Sequence, residues 1–154
     1  MANDKSYRVG LWKTFHESGQ LKSEGNYKDG KQIGLWKTYH ENGQLREEGY
    51  YNLLDGMTGS WKKYHSNGKL SHEGKYKFGK EEGVHITLYE NEQHKEEGNY
   101  KDGKTIDLWK TFYENGQLKS EGNYKDGKTI GLWKTFHENG QLKSEGDYED
   151  GKTI

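Results

Sequence analysis

The sequence predicts an all-β protein: an extended single-layer antiparallel meander of repeated β-hairpins. Three observations point there. The text from Leu11 to Gly34 returns at Leu35, less faithfully at Ser60 and Val84, and closely again at Leu108 and Leu132. Trp12, Trp36, Trp61, Trp109 and Trp133 all take its second position, with His85 where another would fall. Each copy also carries two glycine-type turn signals, and the chain has 22 glycines and no proline. A fixed period of this length marks a repeat architecture. Residues 1–10 read as a lead-in and 11–154 as six tandem hairpin repeats of about 24 residues.

Within a unit, Trp12-Lys13-Thr14-Phe15-His16 is aromatic and β-branched, as strands prefer. Ser18-Gly19 follows, and Asn42-Gly43, Asn67-Gly68, Asn115-Gly116 and Asn139-Gly140 take the same place. These predict a two-residue type I′ hairpin turn. The return strand, Gln20 to Lys28, leads to a second turn at Asp29-Gly30, repeated at Asp102-Gly103, Asp126-Gly127 and Asp150-Gly151. Glycine recurs too often for a helix.

Counting back from the first turn sets His16 opposite Leu21, Thr14 opposite Ser23 and Trp12 opposite Gly25. Counting from the second sets Tyr27 opposite Gln32, Gly25 opposite Gly34 and Ser23 opposite Trp36. Both counts place one set of residues on one face. The expected packing core is Trp12, Trp36, Trp61, Trp109 and Trp133 over glycines such as Gly25, Gly49 and Gly122, a large ring covering bare backbone. Leu11, Lys13, Phe15, Lys22, Glu24 and Ile33 fall on the other face, with Lys13 and Glu24 as a cross-strand ion pair.

The third and fourth copies loosen the pattern. Tyr50-Tyr51-Asn52-Leu53-Leu54-Asp55-Gly56 has one residue more than Asn26-Tyr27-Lys28-Asp29-Gly30, implying a bulge or larger loop. His85 replaces tryptophan, Leu88 the aromatic, Glu92 the turn glycine and His94 the leucine. Tyr50, Tyr51, Leu53, Leu54, His72, His85 and His94 are therefore the candidate partner-binding residues; drift among mutually supporting repeats is the plainer account of them. The last copy stops at Ile154, before the next Gly-Leu-Trp, and an uncapped sheet end invites end-to-end self-association.

The order Gly-x-Trp-x-x-Tyr/Phe, Asn-Gly, Leu-x-x-Glu-Gly-x-Tyr and Asp-Gly-Lys resembles the MORN-type repeat. Gly34, Trp36, Tyr39, Asn42, Gly43, Leu45, Glu48 and Gly49 carry it in the second copy. More closely, the unit resembles the bacterial variant in YwqK-type antitoxin proteins. The resemblance spans Val9 to Ile154. It implies an extended twisted sheet and a role in scaffolding, protein binding, lipid contact or toxin neutralisation.

Composition narrows the classes. Only 28% of residues are hydrophobic, 32% are charged and mean hydropathy is -1.36, yet 14% are aromatic and recur in register. Repeats that lean on their neighbours need fewer apolar residues than a globule. Lysine and arginine number 24 against 25 acidic residues, alternating in sign, so no basic stripe exists for a nucleic-acid backbone. Membrane contact is not favoured either. With no cysteine, thiolate metal sites are excluded. An N-terminus without an apolar stretch makes the cytoplasm the expected location.

No metal or cofactor is expected. His16, His40, His65 and His137 recur two strands apart, roughly 10 Å, whereas zinc ligands lie about 2 Å from their ion. The glutamates recur once per unit, whereas acid–base catalysis needs one asymmetric pair. No Walker-type loop or serine–histidine–acid set stands out. The expected function is a non-enzymatic module that binds another protein, in its sharpest form an antitoxin or immunity protein. The alternative is a structural spacer or self-assembling segment.

Overall fold

The computed structural model describes residues 8–154. The first seven residues of the expected lead-in lie outside them. Thirteen strands form one antiparallel sheet whose spatial order is the chain order. They are β1 (Gly10–Phe15), β2 (Leu21–Lys28), β3 (Lys31–Tyr39), β4 (Leu45–Asn52), β5 (Gly56–Tyr64), β6 (Leu70–Lys77), β7 (Lys80–Leu88), β8 (His94–Lys101), β9 (Lys104–Phe112), β10 (Leu118–Lys125), β11 (Lys128–Phe136), β12 (Leu142–Glu149) and β13 (Lys152–Thr153). Every strand pairs only with its sequence neighbours, and no helix occurs among the described residues. The expected single-layer meander is the observed fold.

The two turns differ in kind. At the second, Asp29 (φ 50°) and Gly30 (φ 72°) both take positive φ, which makes the expected tight turn a type I′ turn. The first is not type I′. Gly19 N–H donates to the His16 carbonyl and His16 N–H to the Gln20 carbonyl, while only Gly19 has positive φ. That is a type I turn over Glu17-Ser18 closed by a left-handed glycine, the three-residue hairpin loop. In the later copies the asparagine before this glycine has ordinary φ and instead accepts through its side chain, as Asn42 Oδ1 does from Gln44 N–H at 3.0 Å. The longer loop sets the pairing: Phe15, not His16, faces Leu21.

Trp12↔Gly25, Thr14↔Ser23 and Tyr27↔Gln32 pair as expected, but Ser23 faces Thr38 instead of Trp36. Between Ile33 and Lys37, β3 carries three residues opposite the single Gly25, so the register shifts by two. A two-residue shift preserves the facing of the side chains beyond it, so the faces expected there survive; the one-residue offset at the first turn does not preserve it, and it turns Leu21 to the Phe15 face. Gly34 takes φ 67° in this bulge, as Gly131 does at 62°.

The bulge also decides what covers Gly25. The ring lying on it belongs to Trp36 of the next repeat, not to its register partner Trp12. The same offset seats Trp61 on Gly49, His85 on Gly74, Trp109 on Gly98 and Trp133 on Gly122. Indole N–H groups of Trp36 and Trp133 donate to the carbonyls of Asn26 and Asn123 at 3.1 and 3.2 Å. One ring thus fills the gap left by the bulge, covers backbone and satisfies an exposed acceptor. A single layer buries little else: Trp36, Trp61 and His85, each 4–6% exposed, are the large side chains it buries among the described residues.

Candidate interaction surface

One face of the sheet carries a ladder of rings. Trp12, Tyr27, Trp36, Tyr51, Trp61, Tyr76, His85, Tyr100, Trp109, Tyr124 and Trp133 follow one another edge to face, with centroids 4.8 to 6.4 Å apart. Such T-shaped contacts add about 0.5–1.5 kcal/mol per pair beyond area burial. The tyrosines of the Glu-Gly-x-Tyr motif are therefore as much a part of the core as the tryptophans. Burial of Tyr76, reinforced by Glu81, pushes its hydroxyl pKa up to about 12.

The recurrent histidines are clips between repeats. His16, His40 and His65 each place Nε2 2.9–3.0 Å from a carbonyl of the following unit, those of Tyr39, Tyr64 and Leu88. A carbonyl only accepts, so Nε2 carries the proton. Tyr89 and Tyr113 take over by donating their hydroxyls to the carbonyls of Phe112 and Phe136. The sequence showed the period of these residues, but which atom each would meet depended on the turn geometry.

The other face is open. Lys13, Glu24, Lys37, Glu48, Lys62, Glu73, Ile86, Glu97, Lys110, Glu121, Lys134 and Glu145 stand in register across twelve successive strands, alternating in sign except at Ile86. Lys13 and Glu24 make the expected ion pair at 3.4 Å. Tyr39 and Tyr64 donate to Glu24 and Glu48 at 2.8 and 2.9 Å. Beside this ladder runs an aliphatic row: Leu11, Leu35, Val84, Leu108 and Leu132, each between 38 and 62% exposed, with Ser60 interrupting it. The row follows from the residue before each tryptophan projecting to the opposite face. Shallow grooves lie along it. One of about 230 Å³ is walled by Val84, Leu108, Glu97 and Lys110, and one of about 290 Å³ by Leu35, Tyr50, Glu48 and Lys62.

The seven residues singled out from the sequence do not share one patch. Tyr51 and His85 belong to the ring ladder, and His72 leans on His85 at 5.3 Å between centroids. Tyr50 is exposed on the aliphatic face opposite Leu35. His94 is on that face too, 3.0 Å from Glu97 and edge-on to Phe112, so it is separated from His72 and His85 by the sheet. Leu53 and Leu54 sit in the expected enlarged turn, three residues between the paired Asn52 and Gly56, where Leu54 is 92% exposed. With Tyr27, Tyr51 and Gln32 they line an open cleft of about 450 Å³. The aliphatic row was not singled out, although the leucine before each tryptophan was its signal. Among the described residues, no three histidine, aspartate or glutamate side chains gather as a metal site would require.

The MORN repeat variant family matches this chain in six segments, at residues 8–29, 32–53, 57–78, 81–102, 108–126 and 130–150. The chain belongs to that family. No curated protein matches the sequence. Among solved structures, a chain of the crystal structure of the GtfA/B complex bound to UDP and GlcNAc is similar at 9% identity and a TM-score of 0.29. That likeness covers 75% of this chain and 22% of the other, and it is too low to bear on fold or activity. This chain thus spans about a fifth of the solved chain it resembles.

Proposed function

We propose that the chain is a non-enzymatic repeat module that binds another protein through the face opposite the ring ladder. The carrying observation is the aliphatic row. Its members stand two strands apart, roughly 10 Å, with shallow grooves between them and charges of both signs alongside. Contiguous apolar surface rimmed by polar groups is where soluble proteins make contacts, and an extended repeat array offers it at fixed intervals. Membership of a family of repeat modules supports the same reading. Its sharper form is an antitoxin or immunity protein that occludes a toxin, as the narrower resemblance to the YwqK-type variant implies.

The test is affinity capture from the source cell with the intact chain and with Leu35, Leu108 and Leu132 changed together to serine. All three are partly exposed and outside the ring ladder, so the fold should persist by circular dichroism. One saturable partner, lost with the serine variant, supports the reading. No partner, or equal capture by both proteins, overturns it. If the captured partner is a toxin whose activity the chain suppresses, the antitoxin form stands; if it is not, that form falls and the binding module remains.

A further inference from the structure

The seam between β6 and β7 differs from every other in its chemistry. Its cover is His85, 4% exposed, seated on Gly74 where other repeats have indole. His85 Nε2 lies 2.9 Å from the Lys75 carbonyl, so it bears a proton and leaves Nδ1 with a lone pair. That lone pair faces His72 Nε2 at 3.3 Å, which makes His72 the donor there. His72 Nδ1 then accepts from the Thr87 hydroxyl at 3.4 Å. The relay from Thr87 through His72 and His85 to Lys75 is complete when both rings are neutral.

A proton added to His72 Nδ1 spoils it: the Thr87 hydroxyl must then rotate to accept, and a positive charge stands beside His85, which packs between the rings of Tyr76 and Tyr100. We propose that the β6–β7 seam is an acid-sensitive joint: proton uptake by His72, hydrogen-bonded to the covering His85, in mildly acidic solution opens this seam while its neighbours stay closed.

The surrounding charges do not rescue the pair. From β5, Lys63 stands opposite His72 and opposes its protonation, although Glu47 holds that lysine at 3.7 Å. On β7 Glu81, opposite Tyr76, favours protonation. Glu96 reaches the same face from β8, opposite Thr87. Burial outweighs them, followed by the His85 charge, and depresses His72 from 6.5 to about 4. A folded value below the open-state value means the open seam binds more protons between these two pH values. Closure is therefore fully favoured above about pH 6.5 and weakens as pH falls toward about 4. Seams covered by tryptophan have no such group. Because each unit contacts only its neighbours, opening one seam does not require global unfolding.

The experiment is hydrogen exchange by mass spectrometry on the intact chain at about pH 7 and about pH 5, corrected for intrinsic exchange, where carboxylates stay largely ionised. The native chain should lose about tenfold protection in peptides from β6 and β7 relative to those from β2–β3 and β10–β11. His72→Ser installs the residue that repeats one, five and six carry as Ser23, Ser120 and Ser144. It should abolish most of that selective loss, whereas His85→Trp, which removes the neighbouring imidazole but leaves His72 buried, should only reduce it. A uniform loss at all seams, or an unchanged selective loss in His72→Ser, would overturn the proposal. The serine variant decides the matter even if the tryptophan variant misfolds.

Discussion

A Cβ on Gly25 would lie 2.2 Å from Cδ2 of Trp36, although the two residues belong to consecutive repeats and are not register partners. This contact joins one unit to the next: the glycine of one hairpin is the seat for the indole of the following one. The bulge at Gly34-Leu35 moves the ring there.

Gly25→Ala should therefore be costly, by about 2–3 kcal/mol, because the methyl group must displace a ring held by flanking tyrosines and an indole hydrogen bond. Gly146 is the internal control. Its nearest neighbours around an added methyl are Tyr148 and Thr153 at 3.9 and 4.0 Å, ordinary contact distances. Gly146→Ala should change stability by less than about 0.5 kcal/mol. Urea titrations of the two variants check the pair; equal effects would remove the ring-on-glycine seat as the joining contact.

Asp107 carries a strain that glycine would relieve. It adopts φ 56° at the bulge position where Gly34, Gly59, Gly83 and Gly131 have φ between 62° and 75°. A side chain in the left-handed region costs about 1–2 kcal/mol. Asp107→Gly should raise the thermal midpoint by about 2–4 °C, and a lower midpoint would show that the carboxylate has a compensating partner.

Glu92 shows the opposite case, strain with a partner. It takes φ 68° where the other copies have the turn glycine, and its carboxylate lies 3.1 Å from Lys69 Nζ. At the neighbouring turns a glutamine fills the lysine's place, with Gln44 Oε1 3.0 Å and Gln117 Oε1 3.1 Å from where a Cβ on the next glycine would stand. Lysine and glutamate thus replace glutamine and glycine as a matched set. A double-mutant cycle of Lys69→Gln and Glu92→Gly should show coupling of about 0.5–1 kcal/mol, weakening with salt. Additive effects would mean that the two replacements are independent.

Tyr39 and Tyr64 predict an alkaline step. Burial first, and then the hydrogen bonds to Glu24 and Glu48, push both hydroxyls up to about 12 from 10.0. A raised folded value means the folded state holds the proton longer, so this stabilisation is complete below about pH 10 and is lost as pH rises toward about 12. Repeats one, five and six have phenylalanine here, at Phe15, Phe112 and Phe136. Tyr39→Phe with Tyr64→Phe should leave the fold intact and reduce the loss of stability across that window. An unchanged alkaline profile would place the sensitivity elsewhere.

The turns show how far local sequence reaches. Asp29-Gly30 was legible because two successive positive φ angles need those residue types, and nothing distant alters that. Ser18-Gly19 was misread because the dipeptide signal for a type I′ turn also suits a type I turn closed by a left-handed glycine. The His16 to Gln20 hydrogen bond and the ordinary φ of Ser18 distinguish them. The candidate surface was less legible still. His72, His85 and His94 drew attention as departures from a pattern, but departures carry no facing, and the sheet sets His94 apart from the other two.

By itself the sequence determined the number of units, the all-antiparallel order of strands and the partition of residues between two faces, except beside the first turn, where Leu21 changed face. Those follow from period, turn chemistry and two-residue alternation, all of which act over a few residues. The tertiary structure decided which repeat's ring covers which glycine, which carbonyl each histidine clips, and that His72 and His85 share one hydrogen-bonded relay. Those depend on bulges that shift pairing by one or two residues, and a bulge forms where backbone and side chains from neighbouring strands together satisfy what local preference leaves open.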